Sequence, residues 1–146
     1  MAWAVRGDEL LYVEAKVSEA ECQQYGLGIA ELELLASTWG LACLGPLLSS
    51  YVVSFTDNTV ALSAMRRLST RAEGDAMPAM LRRRTSFLLE NAVVEAAERI
   101  TSKNNRWADL GSRGQVGVVC VEALALGLRP RRVEITSEWR DLSWLM

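Results

Sequence analysis

Apolar and polar positions alternate near the N-terminus, where Leu11, Val13, Ala15 and Val17 are separated by Tyr12, Glu14 and Lys16. A period of two is the signature of a half-buried strand. Residues 1–6 precede it with a second apolar and aromatic run, and Gly7-Asp8 lies between the two. Glycine at the first central position suits a type II′ turn, so the pattern predicts a β-hairpin with arms at 1–6 and 9–17. A polar, glycine-containing loop follows at 23–28. The period then changes: Leu32, Leu35, Ala36, Trp39 and Cys43 recur at three- and four-residue spacing, predicting an amphipathic helix over Ile29–Leu44 that Gly45-Pro46 ends.

Tyr51–Thr56 is β-branched and aromatic, which predicts a short buried strand. Asp57-Asn58-Thr59 are all capping types and open a helix to about residue 68. A loop over 69–77 leads to a helix that begins around Pro78, runs to about residue 91 and turns Met80, Leu81, Phe87 and Leu88 inward. Residues 93–100 suit a helical extension or a strand, and the strand is preferred. A short helix at 107–112, an apolar helix at 116–126 and a basic extended segment at 129–135 complete the order. Strands interspersed with helices predict an α/β layer fold, a mixed sheet flanked by helices. One domain over 1–136 and a tail over 137–146 account for the chain. The tail holds Trp139, Leu142, Trp144 and Leu145, which either pack on the domain or dock a partner.

A length of 146 residues, half of them apolar, suits one folded domain. No apolar run is long enough to cross a bilayer and no signal-peptide layout is present, which predicts an intracellular protein, cytoplasmic or nuclear, without membrane contact. Cys22, Cys43 and Cys120 are an odd number in mixed contexts and read as reduced thiols. The sequence contains no histidine, so imidazole bases, serine and cysteine triads and most zinc sites are excluded. Carboxylates, with or without hard metal ions, remain as catalytic groups.

The formal charge of −2 conceals an uneven distribution. Residues 1–36 are strongly acidic. Residues 66–84 hold Arg66, Arg67, Arg71, Arg82, Arg83 and Arg84 against Glu73 and Asp75, and residues 99–113 hold Arg99, Lys103, Arg106 and Arg113 against Asp109. Such blocks are either solvated helix faces or an anion-binding surface. Among the acids, Glu33 sits at the edge of an apolar helix face, where surface glutamates are common. Asp57 follows a buried strand, where it is either a helix cap or a ligand at the strand's C-terminal end. Asp109 lies between Arg106 and Arg113, where a local ion pair is the plain alternative to a catalytic role.

Three blocks carry a resemblance. Glu33-Leu34-Leu35-Ala36, Thr56-Asp57-Asn58 and Asn105-Arg106-Trp107-Ala108-Asp109-Leu110-Gly111-Ser112-Arg113 resemble successive motifs of retroelement ribonuclease H domains, most closely those of gypsy-like or tyrosine-recombinase retrotransposon reverse transcriptases. Glu31 does not match; Glu33 does. The resemblance spans roughly residues 3–113. It implies cleavage of the RNA strand of an RNA–DNA hybrid with two Mg²⁺ ions held by carboxylates. Glu33, Asp57 and Asp109 would be both catalytic residues and metal ligands. Asn58, Arg66, Arg67, Arg82, Arg83, Lys103, Asn105, Arg106 and Arg113 would contact nucleic acid, alongside the rest of a polymerase polyprotein. The chain departs from the family at its start, because residues 1–6 match the family's second strand and the first-strand aspartate has no counterpart. Asp8 lies in the hairpin turn and does not inherit that role. The resemblance therefore implies a domain lacking its first strand, with impaired cleavage, or a non-catalytic nucleic-acid-binding remnant of the same fold.

Overall fold

A computed structural model describes residues 1–67 and 74–146; Arg71 and most of the loop expected at 69–77 lie outside the described residues. The fold is α/β. Strands β1 (Ala2–Arg6) and β2 (Glu9–Val13) form the hairpin, in register from Ala2 opposite Val13 to Arg6 opposite Glu9. Gly7 has φ +59° while Asp8 stays outside the left-handed region, which is the type II′ arrangement read from the sequence. The second arm ends at Val13 rather than residue 17, because β5 (Arg129–Arg132) pairs with β2 in parallel only over Glu9 to Tyr12. Strands β3 (Tyr51–Thr56) and β4 (Val94–Arg99) form a separate parallel pair. The single mixed sheet expected from the sequence is thus corrected to a mixed three-stranded sheet, β1-β2-β5, and a two-stranded one, β3-β4.

Among the described residues seven α-helices surround these sheets: α1 (Glu19–Tyr25), α2 (Ile29–Leu44), α3 (Thr59–Arg67), α4 (Ala76–Glu90), α5 (Arg106–Ser112), α6 (Val116–Ala125) and α7 (Ser137–Arg140). α2 is the spine, burying Leu34, Leu35, Thr38, Trp39, Leu41 and Leu44. The hairpin divides its side chains between two cores by the period-two rule. Leu11 and Val13 join the main cluster with α2 and α4, whereas Leu10 packs with Val119 and Ala123 of α6. Trp3 and Trp107 meet edge to face at 5.0 Å beside that second cluster.

α1 replaces part of the expected arm and loop. Its signal is a capping box: Ser18 Oγ accepts from the Glu21 backbone N–H, and Glu21 accepts from the Ser18 N–H. Arg140 of α7 then grips Glu21 at 2.9 Å, tying the two ends of the chain together. The 137–146 segment packs on the domain, since Trp139, Leu142 and Leu145 belong to the main core. Trp39 Nε1 donates to the Trp139 carbonyl at 2.9 Å, and Phe87 meets the Trp139 ring edge to face.

The fold sets the two sheets in opposite directions. β1 runs along α2, with Ala2 against Gly40 and Arg6 Nη1 donating to the Leu47 carbonyl at 3.1 Å. A Cβ at position 40 would stand 2.7 Å from that of Ala2, so only glycine permits this approach. β3 runs the other way, starting near the end of α2 and carrying Asp57 back to the field of Glu33. No single helix among the described residues is long and apolar enough to cross a membrane.

Candidate active site

A cleft of about 610 Å³ opens between the two sheets. Residues 2–5 of β1 form one wall, residues 52–56 of β3 form the other, and Ala36, Ser37, Gly40 and Leu44 of α2 form the floor. Glu33 marks one end, where Asn104, Asn105 and Ala108 close the cleft from the loop and helix α5.

Glu31 and Glu33 divide their work as the helix start requires. The Glu31 carboxylate accepts from the Gly28 backbone N–H at 3.1 Å and satisfies an N-terminal donor. Glu33, two residues and about 200° of helix further on, faces the cleft. Partial burial holds its carboxyl above the usual range, and the negative charges of Asp57 and Asp109 push in the same direction. The Met1 ammonium acts against them. Glu33 thus feels the charges of two acids that lie 24 and 76 residues further along the chain.

Asp57 leaves β3 at its C-terminal end, and the cap expected from the Asp57-Asn58-Thr59 run is Asn58. The Asn58 Oδ1 accepts from the Ala61 N–H at 2.9 Å, which frees Asp57 from capping. Asp109 is exposed and stands 3.5 Å from Arg113 one turn later, the plain ion pair considered above. Such exposed pairs contribute about 0–1 kcal/mol and break readily for a competing ligand. Carboxylate oxygens are the donors that Mg²⁺ prefers. Among the described residues, however, no three acidic or thiol side chains converge tightly enough to hold one ion. The donors fit the metal in kind but not in their present spacing.

The basic residues have separate fates. Arg67, Arg82 and Lys103 are exposed. Arg66 donates to the Ala97 carbonyl and to Glu98, and Arg106 holds Glu122 at 2.7 Å, whose second oxygen accepts from Trp107 Nε1. Asn105 sits half-buried at the cleft end. The view of 82–84 as one basic face needs correction. Arg83 stacks at 4.4 Å on Trp139 and 4.9 Å on Trp144 while donating to the Glu138 carbonyl, so its guanidinium is an internal clamp.

Arg84 is fully buried. It pairs with Glu95 through Nε at 3.0 Å and Nη2, and donates to Thr38 and Ser37 of α2. Ser54 of β3 donates to the same Glu95 carboxylate at 2.6 Å, so α2, α4, β3 and β4 meet at one polar knot beneath the cleft. Sequence reading missed this group. Its signal was position 84 falling on the stripe of Met77, Met80 and Leu81, where an arginine must be paired to be buried. No family model matches the chain, and no curated protein or solved structure shows significant similarity to it.

Proposed function

We propose that this chain is a ribonuclease H-like domain of a retroelement polymerase, acting on the RNA strand of RNA–DNA hybrids with its cleavage impaired. One observation carries the reading: Glu33 stands at the end of the cleft and feels the negative charges of Asp57 and Asp109, the acids of the other two matching blocks. A parallel strand that ends in a ligand-bearing residue supports it, since open α/β sheets bind ligands at strand C-termini. Mg²⁺ held by these carboxylates would supply water activation and leaving-group stabilisation. The Glu33 carboxyl is held above its usual range first by partial burial and then by the negative charges of Asp57 and Asp109, which a bound cation would relieve. Exposed Arg67, Arg82 and Lys103 supply phosphate contacts, weakened steeply by salt.

A second reading is favoured by two facts. None of the five strands carries an aspartate, and no three acids converge on one point among the described residues. On this reading the domain binds hybrid without cutting it. A labelled RNA–DNA hybrid separates the two. Mg²⁺-dependent cleavage that Asp57→Asn abolishes supports the enzyme, salt-sensitive binding without cleavage supports the remnant, and neither activity refutes both.

A further inference from the structure

Parallel strands are normally covered on both faces. Among the described residues, β3-β4 is covered on one. Side chains alternate across a strand, and Ser54 and Glu95 point into the buried knot with Thr38 of α2 and Arg84 of α4. Tyr51, Val53 and Phe55 point the other way, in register with Val94, Ala96 and Glu98. Tyr51, Phe55 and Val94 are more than half exposed, and the charge at the corner of this face, Glu98, is held by Arg66 at 3.1 Å. The first sheet differs. Ala2 faces α2 at Gly40, while Leu10 and Trp3 on its opposite face lie under α6 and Trp107 of α5. α6 in turn bares a stripe of its own. Val118, Val121 and Leu124 recur every three residues with Gly117 and Ala125 beside them, all exposed, and no charged residue falls within their arc of about 120°. On the side away from α2, therefore, a helix layer stands over one sheet and none of the described helices stands over the other.

We propose that two copies of this chain join about a two-fold axis, the α6 stripe of each copy covering the bare β3-β4 face of the other. A step is its own complement under a half-turn, because the raised layer of one copy enters the recess of its partner and the exchange closes on itself. The class of cover suits the sheet, since parallel strands take helices on their faces. The lengths agree: ten residues of helix span about 15 Å and six of strand about 20 Å. Area chooses between this arrangement and simpler ones. Pairing like with like, α6 on α6 or sheet on sheet, buries about 800 Å² in total, the size of a packing contact. The exchange buries both patches on both copies, about 1,600 Å², the standard size of a specific interface. Its centre is uncharged, and the Arg66–Glu98 and Arg106–Glu122 pairs lie at the margins of the two patches, the apolar core and polar rim that specific interfaces share.

The test is sedimentation equilibrium of the full chain and of two variants, Val121→Lys on the stripe and Tyr51→Glu on the sheet. Wild type is dimeric at about 100 µM, because interfaces of this size bind at micromolar Kd or tighter. Each substitution puts a charge into both halves of the symmetric interface and raises Kd about a hundredfold. Mixing the variants is the decisive step. One half of the mixed dimer is then wild type on both sides, and in the other Lys meets Glu, so the mixture associates about tenfold more tightly than either variant alone. Circular dichroism of each variant matches wild type, since both replaced side chains are exposed; Leu124→Lys with Val94→Glu repeats the experiment should either misfold. Three outcomes overturn the proposal: a monomeric wild type at that concentration, a dimer that survives either substitution, or a mixture no tighter than its components, which assigns the dimer to like-with-like pairing. The inference stands apart from the nuclease reading, because the measurement holds neither Mg²⁺ nor hybrid and replaces none of the three acids.

Discussion

Replacing Arg84 by methionine, which keeps most of the side chain's length and removes its charge, tests the buried knot. The Arg84 side chain is 0% exposed and that of Glu95 only 6%. The guanidinium reaches both carboxylate oxygens of Glu95, Thr38 at 3.0 Å and Ser37 at 3.2 Å. Thr38 already donates its own hydroxyl proton to the Leu34 carbonyl at 2.7 Å, so its oxygen is free to accept from Arg84. With Arg84 gone, Glu95 keeps only the Ser54 hydroxyl at 2.6 Å. Removing one partner of a buried pair costs about 3–5 kcal/mol, because the other charge stays buried without compensation. Against a typical total of about 5–15 kcal/mol, that is a large share of the fold's stability. Urea unfolding of Arg84→Met therefore shows a midpoint far below wild type with an unchanged slope. The double variant Arg84→Met with Glu95→Met removes both charges and recovers most of the loss. A single variant that costs under about 1 kcal/mol, or a double variant less stable than the single, refutes the account of a mutually dependent buried pair.

Three further outcomes follow from the electrostatics and the tail. Glu33 is held above its ordinary pKa in the folded chain, so its ionisation opposes folding above that pKa; Glu33→Gln raises the urea midpoint at pH 7, and the gain vanishes as the pH falls below about 4. Glu21 is lowered to about 2 by Arg140 and the Ser18 N–H, so it contributes stability that is present above its unfolded pKa of 4.5 and is lost as pH falls toward 2. Acid unfolding of Arg140→Met is correspondingly shallower across that window, followed by circular dichroism. Trp139 is 7% exposed in the main core, and Trp139→Ala costs about 3–5 kcal/mol in chemical unfolding; a loss below about 1 kcal/mol would return this segment to the role of a partner-docking tail.

Local pattern carried much of the architecture. Ile29–Leu44, Tyr51–Thr56 and the helix around Pro78 emerge where period and caps put them, but the strand expected to be buried exposes Tyr51, Val53 and Phe55, because it pairs only with β4 and lies at a sheet edge. The ambiguous stretch at 93–100 resolves to β4, since pairing with β3 in register from Tyr51 to Thr56 satisfies it. Pairing across long separations was not legible. The division into two sheets depends on which edges meet, and period-two patterning does not encode a partner. The three consecutive arginines at 82–84 show the same limit at a single turn of helix. Position 82 points to solvent, 83 onto two indoles and 84 into the core, a divergence that follows from helical phase rather than from composition. At the candidate site, the sequence pointed to Glu33, Asp57 and Asp109. It could not show that Asn58 relieves Asp57 of capping, which is a matter of one side chain's rotamer.

The function proposed above requires Glu33, Asp57 and Asp109, which do not converge in this structure, to draw together on one cation. Paramagnetic Mn²⁺, added in trace amounts to isotope-labelled protein, tests it by line broadening. The account predicts that resonances of Glu33, Asp57 and Asp109 broaden first and together, and that Asp57→Asn removes the effect at all three. Broadening spread over exposed acids such as Glu19 and Glu90, or unchanged at Glu33 and Asp109 in Asp57→Asn, would contradict it.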